Sequence, residues 1–243
     1  MKKILALLLL VPALAWSATG KVPLDRAPLN LHDKVSLQRG AQVFVNHCLN
    51  CHSATAMRYT RLADLGLTEA QIRDNLLFTG EKVGEPMAAA MDAAVAKAAF
   101  GVVPPDLSLV GRSRGADWLY TYMRSFYRDP STKSGWNNTV FPNVAMPHVL
   151  WDAQGDQVLQ VTERMDPHSG DVKRTQKLVL DRPGKLAPVA YDQQVADLVN
   201  YLAYMAEPAQ ASRKMWGIVV LFFLSAFFVL AMLLKSEYWK DVK

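Results

Sequence analysis

Residues 47–53 read His-Cys-Leu-Asn-Cys-His-Ser and hold both cysteines of the 243-residue chain, Cys48 and Cys51, with His52 directly after them. Cys-x-x-Cys-His is the attachment pattern of c-type haem. Two thiols one helical turn apart can add to the two haem vinyl groups, and the adjacent imidazole can then face the iron from one side. A structural zinc site needs four ligands, commonly a second cysteine pair, which this sequence lacks. A thioredoxin-like dithiol follows a strand in a βαβ pattern, whereas these cysteines end a helical pattern. A plain disulfide suits an exported protein but leaves His52 without a role. The reading taken is one covalently attached haem c on Cys48 and Cys51, with His52 as an axial metal ligand.

Electron transfer generally uses six-coordinate iron, so a methionine sulfur or a second imidazole is expected opposite His52. His47 and Met57 are too near His52 for the chain to reach the far face easily. Met123 and Met205 fall on helical stripes, and Met87 and Met91 on an alanine-rich patch. Met165 lies in a predicted hairpin, with His168 at its turn. Met146 precedes Pro147, which biases it to extended backbone, and sits in the proline-broken loop FPNVAMPHVLW. Met146 is the expected ligand and His148 its main rival.

The start, MKKILALLLLVPALAWSAT, has a basic head, an apolar run from Ile4 to Ala15 and small residues beyond. It reads as a secretory signal spanning residues 1–17, with cleavage after Ser17. Its apolar run is too short for a bilayer core of about 30 Å. Met215 to Leu234 is different: 20 residues without a charge, flanked by Arg213, Lys214 and Lys235, with Trp216, Tyr238 and Trp239 at its ends. It is expected to span the membrane, with the lysine-bearing tail cytoplasmic. Residues 18–212 are then an exported domain and 213–243 its anchor. The net charge of +5 lies in these terminal segments, and between Ala18 and Ser212 there are 20 basic and 20 acidic residues. Nothing in that balance argues for nucleic acid.

Within the domain, SLQRGAQVFVNHC puts Leu37, Ala41, Phe44, Val45 and Cys48 near one helix face. TEAQIRDNLLF opens with Thr68 and Gln71 at capping-box spacing. DWLYTYMRSFYRDP reads as a helix stopping before Pro130, and YDQQVADLVNYLAYMAEP as one stopping at Pro208. DQVLQVTERM and VKRTQKLVLD, joined by DPHSGD, read as a β-hairpin. The fold class expected is mainly α: a cytochrome c-like helical domain with a small β-hairpin insertion at about 150–188, plus one C-terminal transmembrane helix. Helices 36–50 and 191–206 should pack together beside the haem.

LQRGAQVFVNHCLNCHS, PPDLSLVGRSR, AMPH and VNYLAYMAEP, followed by RKM and a spanning helix, resemble the cytochrome c1 family in the same order along nearly the whole mature chain. The family supplies the haem subunit of ubiquinol–cytochrome c reductase. The resemblance implies His52 and Met146 as axial ligands and a haem propionate held by Arg114, for which the alternative is a solvated arginine. It implies an electron-transfer subunit without a quinol site of its own, partnered by cytochrome b and a Rieske iron–sulfur protein, with cytochrome c as acceptor. The location implied is the bacterial inner membrane, haem domain on the periplasmic side. The chain departs from the mitochondrial pattern between Leu150 and Pro188. Two rival functions are a free-standing anchored electron carrier and a haem sensor with an open sixth position.

Overall fold

The computed structural model describes residues 22–165 and 172–241. The expected signal, 1–17, and His168 lie outside them. In chain order the elements are α1 (Lys34–Val43), a π-helical turn (Phe44–Cys48), β1 (Ala54–Arg58), a 3-10 segment (Tyr59–Leu65), α2 (Glu69–Asn75), β2 (Pro86–Met87) and α3 (Ala93–Phe100). There follow α4 (Val110–Ser113), α5 (Ala116–Arg124), β3 (Phe126–Arg128), β4 (Trp136–Asn138), α6 (Trp151–Gln154), β5 (Gly155–Met165), β6 (Val172–Pro183), α7 (Pro188–Ala206) and α8 (Gln210–Tyr238).

Helix α7 is the centre of the domain. Every residue from Val195 to Ala206 is buried, so the expected apolar stripe is in fact a helix enclosed on all sides, by α1, α4 and α5 among others. Its polar residues are enclosed because each is partnered. Asp197 takes a two-pronged contact from Arg39 at 2.6 and 3.0 Å, and hydrogen bonds from Ser36 at 2.6 Å and Gln193 at 3.0 Å. Burial alone would push the Asp197 carboxyl up, but those donors outweigh it and hold it below the ordinary aspartate range. Asn200 donates to Ser36 at 2.8 Å and accepts from the Asn30 N–H at 2.8 Å, tying the segment before α1 to the same crossing. α1 and α7 approach so closely because α1 carries Gly40, where an added Cβ would lie 2.0 Å from the Asp197 carbonyl oxygen. Gly111 does the same for α4, with 2.5 Å to the Leu202 carbonyl oxygen.

The face predicted for α1 is buried as expected, from Leu37 and Ala41 through Phe44 and Val45 to Cys48. The capping box at Thr68 and Gln71 is present in both directions. Strands β5 and β6 pair antiparallel from Gly155 opposite Pro183 to Met165 opposite Val172. Two readings need correction. The helix expected to run to Pro130 stops at Arg124. Ser125 Oγ donates to the Thr121 carbonyl at 2.5 Å and Asn138 Nδ2 to the Tyr122 carbonyl at 2.8 Å, so side chains satisfy the helix end. The freed backbone of β3 then pairs with β4, and β1 pairs with β2, so two further small sheets join the hairpin. The alanine-rich patch holds the helix α3, capped by Asp92 and ended by Gly101 at φ +79°.

α8 is the one helix among the described residues long and apolar enough to cross a bilayer. It begins at Gln210, ahead of the boundary expected at 213, with Arg213 paired to Glu207. Its apolar side chains are exposed along its length, which fits a transmembrane anchor.

Candidate functional site

The π-helical turn closes on a Leu49 N–H to Phe44 carbonyl bond of 3.0 Å, and the motif follows as a tight turn. The N–H groups of Cys51 and His52 both donate to the Cys48 carbonyl, at 3.0 and 2.8 Å. This stacks the two cysteines one turn apart and carries the imidazole out beside them. Cys48 is buried and Cys51 half-buried. Burial pushes the Cys48 thiol up to about 12 and the Cys51 thiol up as well, so both are protonated thiols at neutral pH.

His52 Nδ1 lies 2.8 Å from the Pro105 carbonyl oxygen. A carbonyl can only accept, so Nδ1 carries the proton and Nε2 keeps a free lone pair, the tautomer a metal ligand needs. Burial lowers the His52 pKa, with Pro105 and Asp106 opposing, which favours the neutral ring. Pro105 is held in turn by its neighbours. Asp106 accepts from the N–H groups of Thr55 and Ser108 and from the Thr55 hydroxyl, each at 2.8 Å. Ser108 Oγ accepts from the Ala56 N–H at 3.0 Å, and the Leu107 N–H donates to the Ser53 carbonyl at 2.8 Å. Burial would raise the Asp106 carboxyl, but the hydrogen bonds from Ser108 and Thr55 hold it low and charged. The PPDLS stretch is therefore a clasp on the residues after the motif. A second clasp lies opposite, where Ala90 and Met91 N–H groups donate to the Leu49 and Asn50 carbonyls at 3.2 and 2.9 Å.

Met146 sits in the loop from Thr139 to Pro147, half-buried against the core. Two asparagines on β4 shape this loop. Asn138 Oδ1 accepts from the N–H groups of Val140 and Phe141 at 2.9 and 3.1 Å, and Asn137 Oδ1 from that of Asn143 at 2.8 Å. Asn143 has the left-handed φ of +61° that turns the chain back toward Met146. The sulfur of Met146 accepts a hydrogen bond from the Tyr122 hydroxyl at 3.3 Å. Arg114 is exposed, with its guanidinium 5.0 Å from the Trp118 ring centroid and 5.8 Å from that of Phe141, and its charge acts on the Tyr122 phenol. The stretch from Pro105 to Tyr122 thus touches His52 at one end and Met146 at the other, with Arg114 between.

The rival ligands are placed otherwise. His148 is 1% exposed, stacked on Phe126 at 4.8 Å and walled by Trp136 and Tyr191. Burial pulls it down to about 4, so the ring is neutral. Gln154 lies close enough to oppose that shift, yet neither ring nitrogen makes a hydrogen bond by distance and angle. Met57, Met123 and Met205 are buried in the core, and Met87 takes the Tyr201 hydroxyl at 3.6 Å. Asn137, Asn138, Trp118 and Tyr122 are not among the residues expected at the site from sequence. Adjacent asparagines upstream of a proline-broken loop were the one available signal for the first two.

A helical domain with a Cys-x-x-Cys-His turn, a lone-pair-bearing imidazole and a single apolar C-terminal helix defines a membrane-anchored c-type cytochrome. The chain matches the Cytochrome C1 family over residues 25–174 and 186–242. It is 50% identical to the ammonia monooxygenase gamma subunit of Nitrosomonas europaea over 99% of this chain and 98% of that one. It is 48% identical to the cytochrome c1 of Allochromatium vinosum over 97% and 96% of the two chains. To the mitochondrial cytochrome c1 of Saccharomyces cerevisiae it is 25% identical, over 96% of this chain and 73% of that one. The chain belongs to the cytochrome c1 family. It is a haem c electron-transfer protein of the respiratory chain, of the bacterial type.

Proposed function

We propose that this chain is the haem subunit of a quinol–cytochrome c reductase of the bc1 type, taking one electron from a Rieske iron–sulfur protein and passing one to cytochrome c. The bound haem supplies a one-electron iron couple whose potential the protein sets. Cys48 and Cys51 would hold it by thioethers, His52 Nε2 and Met146 Sδ would ligate its iron, and Arg114 would neutralise a propionate. The donor set suits that group: two thiols one turn apart, an imidazole with its outer nitrogen already engaged, and a soft thioether on a braced loop. The observation that carries the reading is the Nδ1 bond from His52 to Pro105, which leaves Nε2 free beside the two cysteines. The clasps around the motif keep the imbedded ring from turning, so electron transfer needs little rearrangement of these residues.

In this reading residues 1–17 direct export, residues 18–212 form the periplasmic domain, with the hairpin near 150–188 as a departure from the mitochondrial pattern, and residues 213–243 form the inner-membrane anchor. Cytochrome b and the Rieske protein share the complex. The name of the Nitrosomonas relative supports a second reading, as a subunit of a monooxygenase. Affinity purification of the full chain from detergent-solubilised membranes separates the two. A multi-span b-type cytochrome and an iron–sulfur protein are expected to co-purify, with quinol-dependent cytochrome c reduction. Recovery of the chain alone, or with monooxygenase polypeptides, overturns the proposal.

A further inference from the structure

We propose that Tyr122 is a positioning residue for the electron-transfer site: its phenol holds the Met146 sulfur by a hydrogen bond and raises the reduction potential above what the axial ligands alone would give. This rests on Met146 being an axial ligand. The Tyr122 hydroxyl is 3.3 Å from Met146 Sδ. The ring cannot easily swing away, being stacked on Trp118 at 4.7 Å and 11° on one face and meeting Phe126 edge-on at 5.0 Å and 68°. Phe126 is backed by the buried His148 ring, and the Tyr122 carbonyl is pinned by Asn138. The aromatic box around His148 therefore fixes the direction in which the phenol points.

A thioether sulfur has two lone pairs. With one given to iron, the other can accept the phenol proton. A thioether favours ferrous iron because it donates less than a hard oxygen or nitrogen ligand would, and what donation it does make stabilises chiefly the ferric ion, which is the poorer in electrons. A hydrogen bond that draws density from the sulfur weakens that donation, and so disfavours the ferric form relative to the ferrous. The proton stays on Tyr122 throughout. One electron enters and one leaves, and no other bond changes. Sulfur is a weak acceptor, so a contact made only for packing is the competing account.

The test compares two phenol deletions in the complete membrane-bound protein. Tyr122→Phe removes the hydroxyl and keeps the clamped ring. Tyr191→Phe removes another buried hydroxyl, which donates to the Met123 carbonyl at 2.7 Å rather than to Met146. Redox titration of Tyr122→Phe is expected to show the equilibrium constant for reduction lowered about fivefold, or about 40 mV at 59 mV per decade for one electron. The far-red sulfur-to-iron band should persist at a changed position, and added imidazole should displace the sulfur less readily. Tyr191→Phe is expected to lower the unfolding midpoint and leave potential and band in place. An unshifted or raised potential in Tyr122→Phe, or an equal shift in both variants, overturns the proposal. If Tyr122→Phe does not accumulate, resonance Raman of the parent protein in deuterium oxide decides: a shifted iron–sulfur stretch supports the hydrogen bond, and an unshifted one overturns it. Absence of the far-red band from the parent protein would instead remove Met146 as ligand, and this proposal with it.

Discussion

Met146→Leu is expected to leave the haem on the polypeptide and to abolish quinol-driven electron transfer through it. Leucine keeps nearly the volume of methionine, so the half-buried position against the core stays filled. On the proposed ligation, what goes is the soft, neutral sulfur that favours ferrous iron. The potential should fall by on the order of a few hundred millivolts, within the roughly 0.8 V that axial ligands span. Against a Rieske donor at roughly −150 to +300 mV, a fall of that size can turn the transfer uphill. His148 is two residues away, but taking the vacated position would require its ring to leave the stack on Phe126 and the walls of Trp136 and Tyr191. The far-red band should vanish while Cys48 and Cys51 retain the group. A variant that keeps the band and a near-native potential would exclude Met146 as the ligand.

The largest effect on the fold is expected at Gly40. Alanine in a helix is intrinsically better than glycine by about 1 kcal/mol, and in open space the exchange would stabilise. At Gly40 the added Cβ meets the Asp197 carbonyl oxygen at 2.0 Å and the Tyr201 Cβ at 2.7 Å. Backbone cannot give way as a flexible side chain can, so α1 and α7 must separate. That loosens the Ser36, Arg39 and Asn200 bonds at the same crossing. Overpacking in a well-packed core costs about 1–3 kcal/mol, and the polar groups exposed by separation add about 1–3 kcal/mol more. Against a total of about 5–15 kcal/mol, Gly40→Ala should sharply lower the unfolding midpoint or prevent accumulation. Gly84→Ala meets nothing within 4 Å and should leave the midpoint close to that of the parent. Equal midpoints for the two variants would contradict the close helix crossing.

The packing of α1 on α7 followed from the fold class, but the Cys-x-x-Cys-His turn, the buried face of α1, the apolar helix α8 and the strands of the hairpin were legible as local patterns. Each depends on residues close in sequence: a four-residue cysteine spacing, a 3.6-residue period, an uncharged run, or alternation about a turn. The shape of the Met146 loop was not legible in this way. Asn138 binds the end of α5, and Asn137 binds Asn143 across a turn, and neither bond leaves a periodic trace. The helix through Phe126 was misread because its apolar spacing continues past Arg124. Ser125 and Asn138 end it with side-chain bonds that compete with the helix. Met146 stood out by its proline-broken loop as well as by resemblance, and Arg114 by resemblance alone. The structure places them at the two ends of one contact path, Arg114 over Trp118, Trp118 on Tyr122, and Tyr122 on Met146.

The most direct test of covalent attachment at the opening motif is the intact mass of the purified chain, taken after extraction with acidified organic solvent. The account predicts a polypeptide heavier by one haem, with neither Cys48 nor Cys51 available to a thiol reagent. A chain at its bare polypeptide mass, with both thiols reactive, would contradict it.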